Sequence, residues 1–142
     1  MRTVRQLLEA KSPSTQTIGP DAPVLDALRL MAEHGIGAVL VMEGPRLVGI
    51  LSERDYARKV VLHGRSSADT PVRDIMSVDV VTAALLDSSD TCMQLMTDRR
   101  IRHLPVMDGG VVVGIVSIGD LVKAVIEDQQ SELDSLQRYI AS

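Results

Sequence analysis

The chain of 142 residues contains one stretch of sequence twice. Residues 30–61 align with residues 95–126 at a constant offset of 65 without a gap, and 12 of these 32 positions are identical. Unrelated stretches of ordinary composition would share about two. The copies also open alike, with VRQLL from Val4 and VRDIM from Val72. A tandem repeat of this size predicts two copies of one supersecondary unit that pack against each other.

Composition narrows the class of protein. The hydrophobic content of 45% supports a packed interior, and the core must be aliphatic because there is no Phe or Trp and only two Tyr. The net charge of −4 argues against a nucleic-acid binder, which needs a basic face. No apolar signal sequence or membrane span is present, so we expect a cytoplasmic protein without membrane contact. His34, His63 and His103 lack metal-ligand spacing, so no metal site is expected.

Each copy is predicted to contain a helical turn, a strand, a helix, a two-stranded hairpin and a closing helix. Asp21 and Gly35 are suited to cap the long helix of copy one, and Ser88 or Ser89 to begin its counterpart in copy two. The first strand of copy two is predicted at Val78–Thr82. These elements give the α+β class, with two tandem β-α-β-β-α repeats packed with pseudo-twofold symmetry.

The repeat also predicts how the chain divides. Repeat 1 is expected at residues 1–63, a polar linker at 64–71, repeat 2 at 72–128 and a C-terminal helical extension at 129–142. The copy openings match at an offset of 68 instead of 65, so copy one carries three extra residues around Lys11–Thr15. Each copy is small for an independent core, so the copies are expected to bury surface against each other.

The function is expected where the last strand of each copy meets the last helix. Both copies carry Gly-Ile-hydrophobic-Ser-x-x-Asp there, from Gly49 to Asp55 and from Gly114 to Asp120. Free backbone N–H groups at a helix start favour an anion. A serine hydroxyl can bond a phosphate or ribose oxygen, and a carboxylate can accept from both hydroxyls of a ribose. The motif therefore fits a nucleotide.

The same spacing also has a purely structural explanation. Ser-x-x-Asp is a capping box, in which the serine caps the helix and the aspartate bonds back to the chain. The two roles are compatible for Ser52 and Ser117 but compete for Asp55 and Asp120. The residues alone leave capping and ligand binding open.

The combination of motifs resembles a pair of cystathionine-β-synthase-type (CBS) domains, the Bateman module. The resemblance rests on the doubled Ser-x-x-Asp element, the strand start Arg102-His103-Leu104-Pro105-Val106 and the opening Asp74-Ile75-Met76, and it covers about residues 3–128. In that family, the clefts between paired domains bind adenosine-containing ligands such as AMP, ADP, ATP, S-adenosylmethionine or NAD(H). Two modules often associate into a flat dimer.

The resemblance implies a set of ligand-binding residues. Asp55 and Asp120 would bind ribose, and Ser52 and Ser117 would lie near ribose or phosphate. The positions that approach the adenine or line its pocket would be Thr17, Ile18, Val81, Thr82, Ile50 and Ile115.

The two copies differ where a phosphate would bind. In copy two, Arg102, His103 and Pro105 belong to the start of a predicted strand. Arg102 and His103 match family positions that reach phosphate from the neighbouring copy. The two sites should therefore differ in charge and affinity. One partition groups Asp55 with Arg102 and His103, but the sequence leaves the partition open. The residues that would then line the other site with Asp120 are Gly37, Ala38 and Arg54.

The sequence predicts a non-enzymatic regulatory module, because no base–nucleophile pair accompanies the carboxylates. An adenine nucleotide is its expected regulatory ligand, AMP first, with NAD(H) or S-adenosylmethionine as alternatives and no catalytic cofactor. A second copy in a homodimer and an unidentified regulated protein are the expected partners. The alternative is a ligand-free structural dimerisation module, in which Ser-x-x-Asp only caps helices.

Overall fold

The computed structural model describes residues 2–11 and 15–141, which form five α-helices and six β-strands. In chain order these are α1 (Val4–Glu9), β1 (Thr17–Ile18), α2 (Val24–His34), β2 (Ala38–Glu43), β3 (Arg46–Ser52), α3 (Glu53–Tyr56), β4 (Ala83–Ala84), α4 (Ser89–Arg99), β5 (His103–Asp108), β6 (Val111–Ser117) and α5 (Ile118–Ala141). A π-helix at Ala57–Val61 follows α3, and a 3-10 helix spans Val72–Asp74.

The two copies form two three-stranded sheets with the same topology. The strand orders are β1-β2-β3 and β4-β5-β6, and in each sheet the first pair is parallel and the second antiparallel. The hairpin register shifts at equivalent places, between Val41 and Met42 and between Val106 and Met107. The predicted α+β class and the tandem repeat of the fold are confirmed.

The first strand of copy two lies later in the chain than predicted. β1 pairs Ile18 with Val41, and β4 pairs Ala83 with Val106, which occupies the position equivalent to Val41. The counterpart of Ile18 is therefore Ala83, as the offset of 65 also gives. The prediction of a strand at Val78–Thr82 is wrong, because the chain just before it bonds to the other sequence copy, as shown below.

The start of α2 also differs from the prediction. Pro23 is the N-cap residue and makes no side-chain capping bond, while the carboxylate of Asp21 accepts from Arg73 at 3.1 Å. A linker carbonyl bonds to the helix start instead, since the N–H of Val24 donates to the carbonyl oxygen of Thr70 at 2.8 Å. The predicted capping by Asp21 is therefore wrong, and residues 64–71 are bound to the fold.

Equivalent residues end α2 and α4 in the same backbone conformation. Gly35 ends α2 with φ 61° and Arg100 ends α4 with φ 54°, both in the left-handed region. Glycine adopts this region without strain, whereas arginine does not, so copy two carries local backbone strain there. The predicted capping of α4 by Ser88 is confirmed, because its hydroxyl accepts from the Thr91 N–H at 3.0 Å.

The closing helices of the two copies differ. The closing helix predicted for copy one is interrupted. Helix α3 ends at Tyr56, and a π-helix follows, in which the Leu62 N–H donates to the Ala57 carbonyl at 3.1 Å. Insertions of π-helix are rare and often lie beside functional sites. In copy two, α5 continues to Ala141, as the sequence predicts.

The opening segments of the two copies are exchanged in the fold. The chain forms two compact units, one comprising Ser14–Val81 and the other combining Met1–Pro13 with Thr82–Ser142. We call them the Asp55 unit and the Asp120 unit. The opening of copy one thus belongs to the unit that carries the motif of copy two, and the opening of copy two to the unit that carries the motif of copy one. The compact units do not coincide with the sequence repeats.

Equivalent backbone contacts hold the exchanged segments in both units. In the Asp120 unit, Thr3 bridges Ser88 and the Val4 N–H donates to the Asp87 carbonyl at 2.9 Å. In the Asp55 unit, Pro23 bridges Pro71, and the Val72 N–H donates to the carbonyl of Ala22 at 2.8 Å.

Each exchanged segment also buries apolar side chains. In the Asp120 unit, Val4 and Leu7 of α1 are buried. In the Asp55 unit, Val72 and Ile75 occupy the equivalent places and join a core with α2, β2 and β3. Burial of an aliphatic side chain contributes about 1.5–3 kcal/mol, so the exchange adds materially to the stability of each unit.

Two buried glycines leave room for the exchanged segments. A Cβ atom on Gly114 of β6 would lie 2.8 Å from Leu8 Cδ2, in the opening segment of copy one. A Cβ atom on Gly49 of β3 would lie 2.7 Å from Met76 Sδ and 3.0 Å from the Ser77 carbonyl oxygen, both in the opening segment of copy two. The glycine in each Gly-Ile-x-Ser motif therefore leaves space that a side chain of the exchanged segment occupies.

No helix among the described residues is long and apolar enough to cross a membrane.

Replacing Gly114 with alanine should destabilise the protein by about 1–3 kcal/mol, because the added methyl group overpacks against Leu8. Leu8→Ala in the same chain should recover part of that loss. The free energy of unfolding from denaturant titration of the two single variants and the double variant measures this coupling. Met76→Ala is the control, since it should not relieve Gly114→Ala; equal relief by both would contradict the exchange.

Candidate functional site

The Ser-x-x-Asp element of copy one forms a complete capping box at the start of α3. The Ser52 hydroxyl accepts from the Asp55 N–H at 3.2 Å. Asp55 Oδ2 in turn accepts from both the N–H and the hydroxyl of Ser52, each at 3.0 Å. The structural role is therefore present, and it uses one carboxylate oxygen of Asp55.

The other oxygen of Asp55 also has partners. Asp55 Oδ1 accepts from the Ser77 hydroxyl at 3.3 Å and lies 3.3 Å from Lys59 Nζ. Lys59 Nζ donates in addition to the carbonyl of Ile75 at 2.9 Å. The Asp55 side chain is only 13% exposed, so both of its oxygens are engaged in a half-buried polar cluster.

The equivalent element of copy two forms the same local box at the start of α5. The Ser117 hydroxyl accepts from the Asp120 N–H at 3.2 Å, and Asp120 Oδ2 accepts from the Ser117 N–H at 2.8 Å. The Asp120 side chain is 22% exposed. No hydrogen bond to Asp120 Oδ1 comes from the part of the chain that the structure describes, so this oxygen can accept from a ligand.

A lysine from the exchanged segment completes this second site. Lys11 Nζ lies 2.7 Å from Asp120 Oδ2 and donates to the Ile115 carbonyl at 2.9 Å. Burial opposes ionisation of Asp120, but the Lys11 ammonium and the Ser117 N–H outweigh it and hold the pKa of Asp120 below its usual value. Asp120 is therefore a carboxylate across the physiological pH range.

The strand starts lie beside the serine of their own copy. His103 pairs with Ser117 across the hairpin, and the Arg102 carbonyl accepts from the Ile118 N–H at 2.8 Å. Ala38 pairs with Ser52 in the same way. Arg102 and His103 therefore lie in the same described unit as Asp120. Gly37 and Ala38 lie in the same unit as Asp55. The Gly37 carbonyl accepts from the Glu53 N–H at 3.0 Å. Arg54 is exposed on α3, and Pro105 is buried in β5.

His103 is held in its neutral form. Burial lowers the pKa of His103, and the positive charges of Lys11 and Arg102 lower it further, against an opposing effect of Asp120. At neutral pH the imidazole can therefore both donate and accept a hydrogen bond. The Asp120 unit combines a carboxylate, an ammonium and a neutral imidazole around one strand–helix junction.

Most of the remaining predicted residues lie on the strands, whereas Val81 and Thr82 precede β4. Ile50 is half-buried in β3, and its backbone bridges Ser77 through two hydrogen bonds of 3.0 and 2.9 Å. Ile115 occupies the equivalent place in β6. Thr17 and Thr82 are exposed. The half-buried members of the set are Ile18, Val81, Ile50 and Ile115.

Three polar residues of the site escape the sequence analysis: Lys11, Lys59 and Ser77. A charge-pair pattern could have indicated Lys59, which lies four residues after Asp55 on one turn of helix. No local pattern indicates Lys11 or Ser77, because each reaches an aspartate of the other sequence copy.

The single cysteine and the possible metal ligands among the described residues were the remaining candidates for reactive groups. Burial, assisted by Asp87, raises the pKa of Cys92 to about 11, so this thiol is a poor nucleophile. Cys92 is fully buried and packs as a small hydrophobic residue. Within residues 2–11 and 15–141, no group of three or more His, Cys, Asp or Glu side chains could hold a metal ion.

The fold and both junctions match a known family. The family model for the CBS domain matches residues 4–62 and 72–127. The chain belongs to the CBS-domain family. This confirms the resemblance on which the sequence prediction rests.

Solved structures support the assignment. A protein with CBS domains from Burkholderia ambifaria is 53% identical, with a TM-score of 0.88 over 90% of this chain and 96% of that chain. A CBS domain protein from Pyrobaculum aerophilum, solved in complex with AMP, is 25% identical, with a TM-score of 0.75 over 84% of this chain and 89% of that one.

A curated relative is longer than this chain. The mitochondrial CBS domain-containing protein CBSX3 of Arabidopsis thaliana is 44% identical over 125 residues. The match covers 84% of this chain and 61% of that protein, so this chain spans less than two thirds of the relative's length.

The lowered pKa of His103 makes stability depend on pH. Between its ordinary pKa near 6.5 and its lower folded value, the unfolded chain binds a proton that the folded chain does not. Stability should therefore fall as the pH drops from about 7.5 to about 5.5. His103→Gln should show a shallower fall of the melting temperature over this range. His63→Gln, which changes an exposed side chain, is the control and should follow the parent; a His103→Gln curve parallel to the parent contradicts the assignment.

Proposed function

We propose that this CBS-domain pair is a non-enzymatic regulatory module that binds an adenosine-containing ligand at its Ser-x-x-Asp junctions. The observation that carries the proposal is the Asp120 junction, where one oxygen of the ionised carboxylate receives no hydrogen bond from the described residues and can accept from a ribose hydroxyl. Lys11 pairs with the other oxygen, and the neutral imidazole of His103, on which Arg102 acts electrostatically, belongs to the same junction. The Pyrobaculum relative in complex with AMP supports an adenine nucleotide as the ligand class.

The two junctions are expected to bind with unequal affinity. Asp55 Oδ1 already accepts from Ser77 and lies against Lys59, so a ribose would have to replace bonds that exist in the protein. Asp120 Oδ1 has no such partner to lose among the described residues. We therefore place the tighter site at Asp120.

AMP is the ligand we propose first. A ribose hydroxyl would bond Asp120, and the phosphate would be attracted to Lys11 and Arg102. NAD(H) and S-adenosylmethionine remain alternatives, and NAD(H) would satisfy the same ribose and phosphate contacts. Binding would change the conformation of the module or of a homodimer in the cytoplasm, and so alter a partner protein. Such a signal needs a coupling free energy of about 1–3 kcal/mol.

A structural dimerisation module is the second candidate. The observation in its favour is that both capping boxes are complete without a ligand. In that case the aspartates would serve the fold alone. Ultraviolet absorbance separates the two candidates simply, because a chain without Trp and with two Tyr would be dominated by the absorbance of one bound adenine.

Dialysed protein should melt at a higher temperature with AMP. A ligand at one hundred times its dissociation constant adds about 2.7 kcal/mol of stability. Asp120→Ala should reduce the AMP-induced shift more than Asp55→Ala, because a hydrogen bond to a charged group contributes about 1.5–3 kcal/mol. Calorimetric titration of each variant gives the affinities.

The control for the loss of a helix cap is Ser88→Ala, which removes the cap of α4 away from both junctions. It should lower the melting temperature without reducing the AMP-induced shift. Absence of any shift with AMP, ADP, ATP, NAD⁺, NADH or S-adenosylmethionine, together with protein free of adenine absorbance, would favour the structural module.

A further inference from the structure

Lys11 lies at the edge of the three-residue insertion that distinguishes copy one from copy two. At the offset of 68, which aligns the opening segments, its counterpart in copy two is Asp79. Conversely, Lys59 of copy one corresponds to Ala124 of copy two, at the offset of 65. Each junction aspartate therefore has a lysine, but the two lysines come from unrelated places in the repeat.

The two lysines are held differently. In the Asp55 unit the carbonyl of Ile50 accepts from the Ser77 backbone, and Lys59 bonds to the Ile75 carbonyl. In the Asp120 unit the carbonyl of Ile115 accepts from Lys11 Nζ itself. An ammonium thus takes the place of a backbone donor at the last strand, directly beside the aspartate that would hold a ribose.

Lys11 changes the charge balance of the Asp120 junction. Without it, the negative charge of Asp120 would lack its paired ammonium and would repel more strongly a phosphate attached to the ribose. With it, the charges of the carboxylate and the ammonium cancel, and Arg102 adds a positive charge that acts on His103 of the same junction. Lys11 and Arg102 both act electrostatically on His103, which places the three groups in one local field.

We propose that Lys11 is a specificity-determining residue of the Asp120 site, and that it selects adenosine ligands with a 5′-phosphate over uncharged adenosine. The inference rests on the proposed function, since it concerns which ligand that site accepts. Because the ribose-binding oxygen of Asp120 is not the one paired with Lys11, a ligand can use Asp120 while the ammonium remains in place.

The size of the effect follows from the charge and the distance. At a separation of about 6 Å between the ammonium and a 5′-phosphate, one unit of charge would change affinity by about threefold in water and about a hundredfold near a protein surface. The attraction acts on AMP and not on adenosine, so Lys11 should alter the ratio of their affinities.

The test compares AMP with adenosine by calorimetric titration. Asp55→Ala serves as the background, so that the Asp120 site dominates binding. In that background Lys11→Met should weaken AMP about tenfold more than adenosine, whereas Lys11→Arg should keep the parental preference. Lys59→Met is the matched control, because it removes the lysine of the other junction and should leave the AMP-to-adenosine ratio unchanged.

Two outcomes would overturn the role of Lys11 and leave the proposed function intact. Equal weakening of AMP and adenosine would make Lys11 a structural residue. Tighter AMP binding in Lys11→Met would make Lys11 a competitor of the ligand. Failure of the unmodified protein to bind either compound would overturn the proposed function and this inference with it. Melting curves of each variant without ligand establish that it is folded.

Discussion

The exchange of opening segments between the two sequence copies is the constraint on which both junctions depend. The last strand of each copy carries a glycine, and a side chain from the opposite copy fills the space above it. Val4 and Leu7 are buried in one unit, and Val72 and Ile75 in the other. Each unit thus obtains part of its interior from the copy whose motif it does not carry. The two copies of a tandem repeat can therefore fold cooperatively, although neither copy forms a complete core alone.

The exchange also determines the chemistry of the junctions. The segment that follows each buried pair delivers a polar group to the aspartate, Ser77 to Asp55 and Lys11 to Asp120. The capping boxes hold the two aspartates in the same local geometry. The two sites differ because the opposite copy contributes a serine to one and a lysine to the other. At Asp120, one carboxylate oxygen receives no hydrogen bond from the described residues. A carboxylate oriented by its own helix start loses little freedom on binding a ligand, which is the benefit of preorganisation.

Capping and ligand binding are compatible at Asp120 because a carboxylate has two oxygens. One oxygen serves the helix start and Lys11, and the other can serve a ribose hydroxyl. At Asp55 both oxygens already have partners within the unit. The sequence predicts that capping and ligand binding compete for each aspartate. The outcome of this competition therefore differs between the two copies. Under the proposed function, a similar sequence motif would therefore support two sites of different affinity.

The sequence by itself determined the features that depend on neighbouring residues. The repeat predicted two α+β units with a hairpin in each, Ser88 was predicted as a possible helix start, and capping boxes were one of the two roles left open for Ser-x-x-Asp. These features form within a few residues of chain, so their hydrogen-bond partners can be identified from spacing. The wrong predictions, Asp21 as a cap and Val78–Thr82 as a strand, concern segments whose backbone or side chains bond to distant parts of the chain.

Only the tertiary structure decided which copy completes which junction. Lys11 and Asp120 are 109 residues apart in sequence, and no periodicity or motif joins them. Their pairing depends on where the opening segment packs, and that is governed by burial and by the space above Gly114, not by local propensity. Local chemistry therefore identified the two aspartates from the sequence, whereas the charge that surrounds each of them is a property of the folded chain.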